Sequence, residues 1–251
     1  MSKSYPKTHA GRVALITGAA GALGSHFARR LAQAGCYLAL TDLTVPEQTV
    51  ASLADTGVKV YAAAVDLADA EAVARFADDV LEYFGQCDIL VNNAAYMPLI
   101  PFAELTLDEF RRFEAINVEA SLVLAQKLSP KMKERQFGRI IQIGSSTTGD
   151  PRPGFASYIT TKMAGVGLVR ALAAELGDSG ITANVIHPGL TATENSRKHL
   201  PPELFEAVKE LQLIKRTEVP EDLVGVLAFL TSEEAGFVTG QALNVDGGTQ
   251  F

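Results

Sequence analysis

Apolar residues along the chain fall into short continuous runs, each followed by a stretch where apolar positions recur every three or four residues. The runs at 12–17, 37–41, 58–65, 89–91, 139–144 and 181–186 read as buried strands. Between them, 22–34, 46–54, 69–84 and 106–134 read as helices. The longest carries Leu107, Phe110, Phe113, Ile116, Leu122 and Leu124 as its apolar positions, and Pro130 is expected to kink its last turn. Strands alternating with helices imply one α/β domain, a doubly wound parallel sheet with helices on both faces. The 251 residues are enough for one such unit with a sizeable core, and no linker, repeat or low-complexity segment interrupts the series.

Chemistry-bearing residues gather where these strands end. Gly18-Ala19-Ala20-Gly21-Ala22-Leu23-Gly24 follows the first strand and opens the first helix. Strand, glycine turn and helix bring backbone N–H groups and a helix N-terminus up to a pyrophosphate, although a tight turn without a ligand would look the same. The second strand ends at Asp42, 24 residues beyond Gly18. A carboxylate there can accept hydrogen bonds from the ribose hydroxyls of NAD and would repel the 2′-phosphate of NADP. No Arg or Lys in the turn or directly after Asp42 offsets that repulsion, so NAD is the expected cofactor. Asp42 could instead serve as a loop charge or helix cap, since Thr44 and Pro46 open the next helix nearby.

Tyr158 and Lys162 lie four residues apart and share a helix face, with Ser145 13 residues upstream at the end of the fifth strand. An isolated phenol has a pKa near ~10 and carries protons poorly at neutral pH. A lysine ammonium one turn away is expected to favour the phenolate and draw that pKa down. A serine hydroxyl can hydrogen-bond a carbonyl oxygen as charge develops on it. The three suit proton transfer to or from a C–O oxygen while a hydride moves elsewhere.

Thr17-Gly18 with Gly24, Asp66, Asn92-Asn93-Ala94, Asn117, Ser145, Tyr158 with Lys162, and Pro188-Gly189 stand in the order and spacing of the short-chain dehydrogenase/reductase family, which the chain resembles from about Gly11 to Gly248. The resemblance implies a Rossmann-type fold and an NAD(H)-dependent oxidoreductase interconverting a secondary alcohol and a ketone. It implies that Gly18, Gly21, Ala22, Leu23 and Gly24 hold the pyrophosphate side. Asp42 and Leu43 would hold the adenosine ribose, Asp66 and Leu67 the adenine, and Asn93, Ala94 and Ala95 the cofactor ribose side. Pro188, Gly189, Thr191 and Thr193 would cap the nicotinamide. Tyr158 would be the proton carrier, Lys162 its partner and a ribose ligand, Ser145 the oxygen-positioning hydroxyl, and Asn117 the holder of a water linking Lys162 to solvent. Asp66 could equally cap the helix that starts near Ala70, and Asn117 could be an exposed helical residue. Two departures stand out. Ala22 occupies the family's usual second glycine position, and Ala95 follows Ala94 where a glycine is usual.

The formal charge of −7 argues against a nucleic-acid or anionic-membrane surface. No apolar stretch is long enough for a membrane span. Residues 1–10 read as a flexible tail with no secretion signal, and a cytoplasmic protein is expected. Cys36 and Cys87 have no metal-like spacing, His9, His26, His187 and His199 are scattered, and no metal site is expected.

The substrate walls are expected from Tyr96, Met97, Thr147 and Phe155 beside Ser145 and Tyr158, under a helical lid at 194–216 that could also be a plain surface loop. That set suits a hydrophobic or aryl alcohol, and residues 84–102 resemble bacterial dehydrogenases that oxidise 1-arylethanols. A looser likeness to enzymes of vitamin B6 alcohols keeps a polar or pyridine alcohol open. A catalytically silent NAD(H)-binding sensor is a separate alternative, which the intact Ser145, Tyr158, Lys162 and Asn117 set argues against. Small residues on the helix after Ser157 (Ala164, Gly165, Gly167, Ala171, Ala173) suit either subunit pairing, as in the family's tetramers, or packing on the chain's own sheet.

Overall fold

A computed structural model describes residues 7–251, and residues 1–6 lie outside the described residues. Seven parallel strands form one sheet in the order β3-β2-β1-β4-β5-β6-β7. They are β1 (Val13–Thr17), β2 (Tyr37–Asp42), β3 (Val60–Ala64), β4 (Ile89–Asn92), β5 (Gly138–Ile143), β6 (Ile181–Pro188) and β7 (Ala242–Val245). The chain runs outward from β1 to β3, returns, and continues the other way from β4. The strand order therefore reverses between β1 and β4, where open α/β sheets bind ligands at their carboxyl ends.

One layer of helices contains α1 (Ala22–Gln33) and α9 (Glu221–Leu230). Phe27, Leu31, Leu223 and Leu227 pack there with Ile16, Leu40 and Val91 of the sheet. The other layer contains α3 (Ala70–Phe84), α5 (Ala120–Glu134) and α6 (Ala156–Leu176). Val73, Phe76, Leu124, Leu128 and Val169 pack there with Leu15, Leu90 and Ile140. All positions of β1, β4, β5 and β6 are buried, which is why these strands read as unbroken apolar runs. Shorter helices are α2 (Glu47–Ser52), α4 (Leu107–Glu114), α7 (Glu194–His199) and α8 (Pro202–Leu211).

The stretch expected as one helix over 106–134 is interrupted. α4 passes into a π turn at Ala115–Glu119 before α5 begins, and α5 runs through Pro130 to Glu134. Within the segment expected as a tail, residues 8–11 form a turn and His9 is buried. Its backbone N–H donates to the Ala34 carbonyl at 3.0 Å, and its Nε2 lies 2.9 Å from Thr231 Oγ1. Burial, with Arg30 and Arg12 nearby, lowers its pKa to about 4.

Candidate active site

The glycine turn is shaped first by the protein around it. Gly18 has φ +66°, and a Cβ there would sit 2.8 Å from Ala94 Cα; at Gly24 one would sit 2.9 Å from Ala19 Cα. These two glycines let β1, α1 and the end of β4 meet. Thr17 and Asn93 tie the same junction. Thr17 Oγ1 accepts the N–H groups of Asn93 and Ala94, each at 3.0 Å, and Asn93 Nδ2 donates to the carbonyls of Thr17 and Gly18. No side chain caps the N-terminus of α1 at Gly21, so its first-turn N–H groups are not claimed by a cap. The turn thus fits a pyrophosphate.

Asp42 ends β2 and reaches across to the turn. Its Oδ2 accepts the Ala20 N–H at 2.9 Å and its Oδ1 the Leu43 N–H at 2.8 Å. It does not cap α2, whose N-cap is Pro46. Leu43 beside it is 67% exposed, an apolar surface at the place expected for the adenosine end. Asp66 accepts the Ala68 N–H at 2.9 Å, while the cap of α3 is Asp69, which accepts from Glu71 and Ala72. Asp66 is exposed and Leu67 partly so.

The start of α6 and the end of β5 assemble the polar cluster beside this groove. Tyr158 and Lys162 lie buried on α6, and Ser145 follows β5. Lys162 Nζ lies 5.4 Å from the centre of the Tyr158 ring and donates to the Ile143 carbonyl at 2.7 Å. Burial lowers the Lys162 pKa to about 8. The phenol behaves opposite to the expectation that Lys162 draws it down. Burial pushes Tyr158 up to about 12, and the neighbouring Ser145 hydroxyl pulls only partly the other way. Desolvation outweighs the Ser145 hydrogen bond at the phenol. Ser145 Oγ lies 2.8 Å from Thr147 Oγ1, and the Phe155 ring is 5.9 Å from that of Tyr158.

Asn117 sits in the π turn and is buried, not exposed. Its Oδ1 accepts the Tyr96 N–H at 2.7 Å, and its Nδ2 donates to the Tyr96 carbonyl and to Thr161 Oγ1, both at 3.0 Å. The widened turn aims this side chain inward, binding the segment after β4 to α6. The Tyr96 side chain itself turns to α4. Its hydroxyl donates to Glu109 at 2.5 Å, and its ring meets Phe113 edge-on under the Arg112 guanidinium. Met97 is 51% exposed and Ala95 exposed.

Several participants were not visible in the sequence. His187, on β6, is buried, and its Nδ1 accepts the Ser145 N–H at 2.8 Å, which leaves the ring proton on Nε2. Burial lowers its pKa, which keeps Nδ1 an acceptor. Gly144 is small because a Cβ there would collide with this imidazole. Thr161 joins Asn117 to α6. Only the strand-end position of His187 and Gly144 pointed towards the site. After β6, Pro188 ends the strand, Gly189 and Thr191 follow, and Thr193 caps α7 by accepting the Ser196 N–H at 3.0 Å. Among the described residues no group of three or more His, Cys, Asp or Glu could hold a metal ion.

A Rossmann-type sheet, a glycine turn at its switch point and a buried Tyr158–Lys162 pair beside the partly buried Ser145 define a nucleotide-dependent oxidoreductase. Comparison with known proteins gives the family. A family model described as enoyl-(acyl carrier protein) reductase matches residues 18–250. Dehydrogenase/reductase SDR family member 4 of Homo sapiens is 34% identical, with 96% of this chain and 88% of that protein covered. D-threitol dehydrogenase of Mycolicibacterium smegmatis is 33% identical over 95% of this chain and 92% of its own. A blue fluorescent protein from a metagenomic library, solved in complex with NADPH, superposes with a TM-score of 0.89 at 32% identity, covering 97% and 100% of the two chains. The chain belongs to the short-chain dehydrogenase/reductase family.

Proposed function

We propose that the chain interconverts a secondary alcohol and a ketone with NAD(H), acting on a hydrophobic or aromatic substrate. The observation that carries the reaction type is the buried Tyr158 phenol beside the Ser145 hydroxyl, with Lys162 Nζ 5.4 Å from its ring centre. When bound, NAD⁺ supplies the hydride acceptor. Gly18 through Gly24 and the N-terminus of α1 would hold its pyrophosphate, and Asp42 with Leu43 and Asp66 with Leu67 its adenosine. Asn93, Ala94 and Ala95 would line the ribose side, and Gly189, Thr191 and Thr193 the nicotinamide.

In oxidation Tyr158 Oη takes the alcohol proton, and Ser145 Oγ steadies the oxygen as it becomes a carbonyl. Lys162 would favour the phenolate and hold the nicotinamide ribose, and Asn117 would hold a water linking Lys162 to solvent. In reduction Tyr158 donates. Asp42 supports NAD over NADP, because its carboxylate stands at the end of β2 and no Arg or Lys in the glycine turn or directly after it offsets the repulsion of a 2′-phosphate.

The aryl reading rests on Phe155 beside Tyr158 and on the exposed Met97 and Leu99. A polar alcohol is the second reading, favoured by the likeness to D-threitol dehydrogenase. α7 and α8, separated by Pro201, are the candidate lid; binding of NADH and ketone should slow proteolysis at 194–216. A cytoplasmic homotetramer completes the reading. No helix among the described residues is long and apolar enough to cross a membrane. On α6, Gly165 packs on Gln142 of the chain's own sheet, whereas a Cβ at Gly167 would meet nothing within 4 Å, leaving room for a partner. A solution mass other than four chains would refute the tetramer.

The deciding experiment is NADH formation from NAD⁺ with both enantiomers of 1-phenylethanol and with threitol, run in parallel with NADP⁺. Turnover of one phenylethanol enantiomer with NAD⁺ is expected. Threitol turnover alone would replace the aryl reading with the polar one, and faster reaction with NADP⁺ would overturn the role given to Asp42.

A further inference from the structure

One buried carboxyl takes no part in the chemistry above. Glu218, between α8 and α9, is 4% exposed. Its backbone pairs with the loop after β6, the Ala192 N–H donating to the Glu218 carbonyl at 2.7 Å. Its side chain turns onto the same loop. Oε2 accepts the Gly189 N–H at 3.0 Å, and Oε1 accepts the Thr191 hydroxyl at 2.5 Å. A Cβ at residue 189 would lie 2.8 Å from Oε2, so glycine there is what lets the carboxylate close on the backbone. Three hydrogen bonds from one residue therefore fix 189–192.

We propose that Glu218 is a positioning residue whose ionised carboxylate holds residues 189–192 in the shape that receives the nicotinamide end of the cofactor, and whose protonation loosens that hold. The inference rests on the cofactor reading given above. It goes beyond that reading by placing control of the loop in a residue that touches neither substrate nor reacting atoms. The surroundings set when the carboxylate forms. From β6 and its loop, Gly189 and Thr191 offer donors that favour it. Asp222 of α9 and Asp246 after β7 oppose it, and Arg216, whose charge would help, is paired with Asp222 at 2.6 Å. Burial shifts His187, two residues before Gly189, towards its neutral form. Burial is the largest influence, and Glu218 is raised to about 7. A carboxylate offers acceptors to both donors at once, whereas the acid gives up one of them.

The test measures NADH affinity by fluorescence from pH 5.5 to 8.5, beside hydrogen exchange of the 188–193 amides without added cofactor, normalised to unstructured peptide at each pH. The dissociation constant of the wild type should rise about fivefold as pH falls from 8 to 6, with faster loop exchange, if the lost bond is worth that of a charged acceptor. Glu218→Gln keeps the shape and should flatten the pH dependence. Glu218→Ala should weaken binding about tenfold at pH 8, and Thr191→Val should fall between. If Glu218→Ala does not fold, the Gln and Val variants still decide the matter. A Gln variant with the wild-type pH profile would overturn the proposal. If the wild type binds no NADH, the cofactor reading falls, and exchange then decides separately: unchanged protection of 189–192 in the variants removes the hold itself.

Discussion

β1 through β4 and β5 through β7 build the two sides of one groove by different means. On the first side the decisive features are backbone ones. Gly18 and Gly24 are small because Ala94 and Ala19 press on them, and Thr17, Asn93 and Asp42 spend their side chains on N–H and carbonyl groups of the turn. On the second side the decisive feature is burial of ionisable groups. Tyr158, Lys162, His187 and Glu218 are each nine-tenths or more hidden, and each has its proton affinity moved by desolvation. The nucleotide side is a matter of shape, which tolerates little added volume. The catalytic side is a matter of proton affinity, which tolerates shape-conserving changes in geometry but not in chemistry.

The largest effect that separates them is Tyr158→Phe. The ring keeps its packing against Phe155, so NADH affinity should stay within about twofold of the wild type. Turnover should fall by roughly 10³ or more, the scale of losing a positioned proton carrier. Steady-state kinetics beside NADH titration reads both; retained turnover would move the proton to another group. The same phenol fixes the pH response. Its raised pKa means that the phenolate needed for oxidation grows with pH, so oxidation should climb into the alkaline range. Reduction, which needs the protonated phenol, should fall there. Lys162, lowered to about 8, loses its charge over the same range and works against the phenolate, so the climb should be shallower than one proton would give.

The shape side should break differently. Gly18→Ala places a methyl against Ala94 at φ +66°, combining a clash with a backbone conformation that alanine rarely adopts. A loss of roughly 2–3 kcal/mol is expected, read as a lower urea midpoint, together with weaker NADH binding. Gly21→Ala is the control, because its Cβ would meet only the Gly18 carbonyl at 3.3 Å. Equal losses in the two variants would mean that packing does not select the glycines.

What the sequence made legible follows the same division. Strands buried on both faces announce themselves as apolar runs, and a glycine turn between strand and helix is readable because few other residues fit there. Asp42 and Asp66 were placed by counting to strand ends, but only the structure shows that Asp69 caps α3 and leaves Asp66 free of that task. The direction of the Tyr158 shift was misread for a physical reason. Helical spacing puts Lys162 near the ring, but it does not reveal that the ammonium turns to the Ile143 carbonyl or that the phenol is dry. Helical periodicity by itself leaves Asn117 open between a surface residue and the inward role that the resemblance implies, since a π turn has no hydrophobic period of its own. His187 and Glu218 carry no local motif. Their partners, Ser145 and the 189–192 loop, are 42 residues and roughly 26–29 residues away along the chain, a distance no periodicity bridges.

Asp42 lies where the two modes meet, because it is both a charge and a brace for the turn. Asp42→Ala removes the acceptor from the Ala20 and Leu43 N–H groups, so the turn should loosen and both NAD⁺ and NADP⁺ should bind more weakly than geometry alone would allow. Removing the charge acts on only one of the two. The repulsion of a 2′-phosphate disappears while the ribose loses an acceptor, so the ratio of kcat/KM for NAD⁺ over NADP⁺ should drop by about tenfold, or ~1.4 kcal/mol. Asp42→Asn separates the contributions, since its carboxamide oxygen can still accept one backbone N–H. It should restore part of the absolute affinity while leaving the ratio low. If Asn recovers affinity and ratio together, shape rather than charge sets cofactor choice here, and the first side of the groove works by backbone fit throughout.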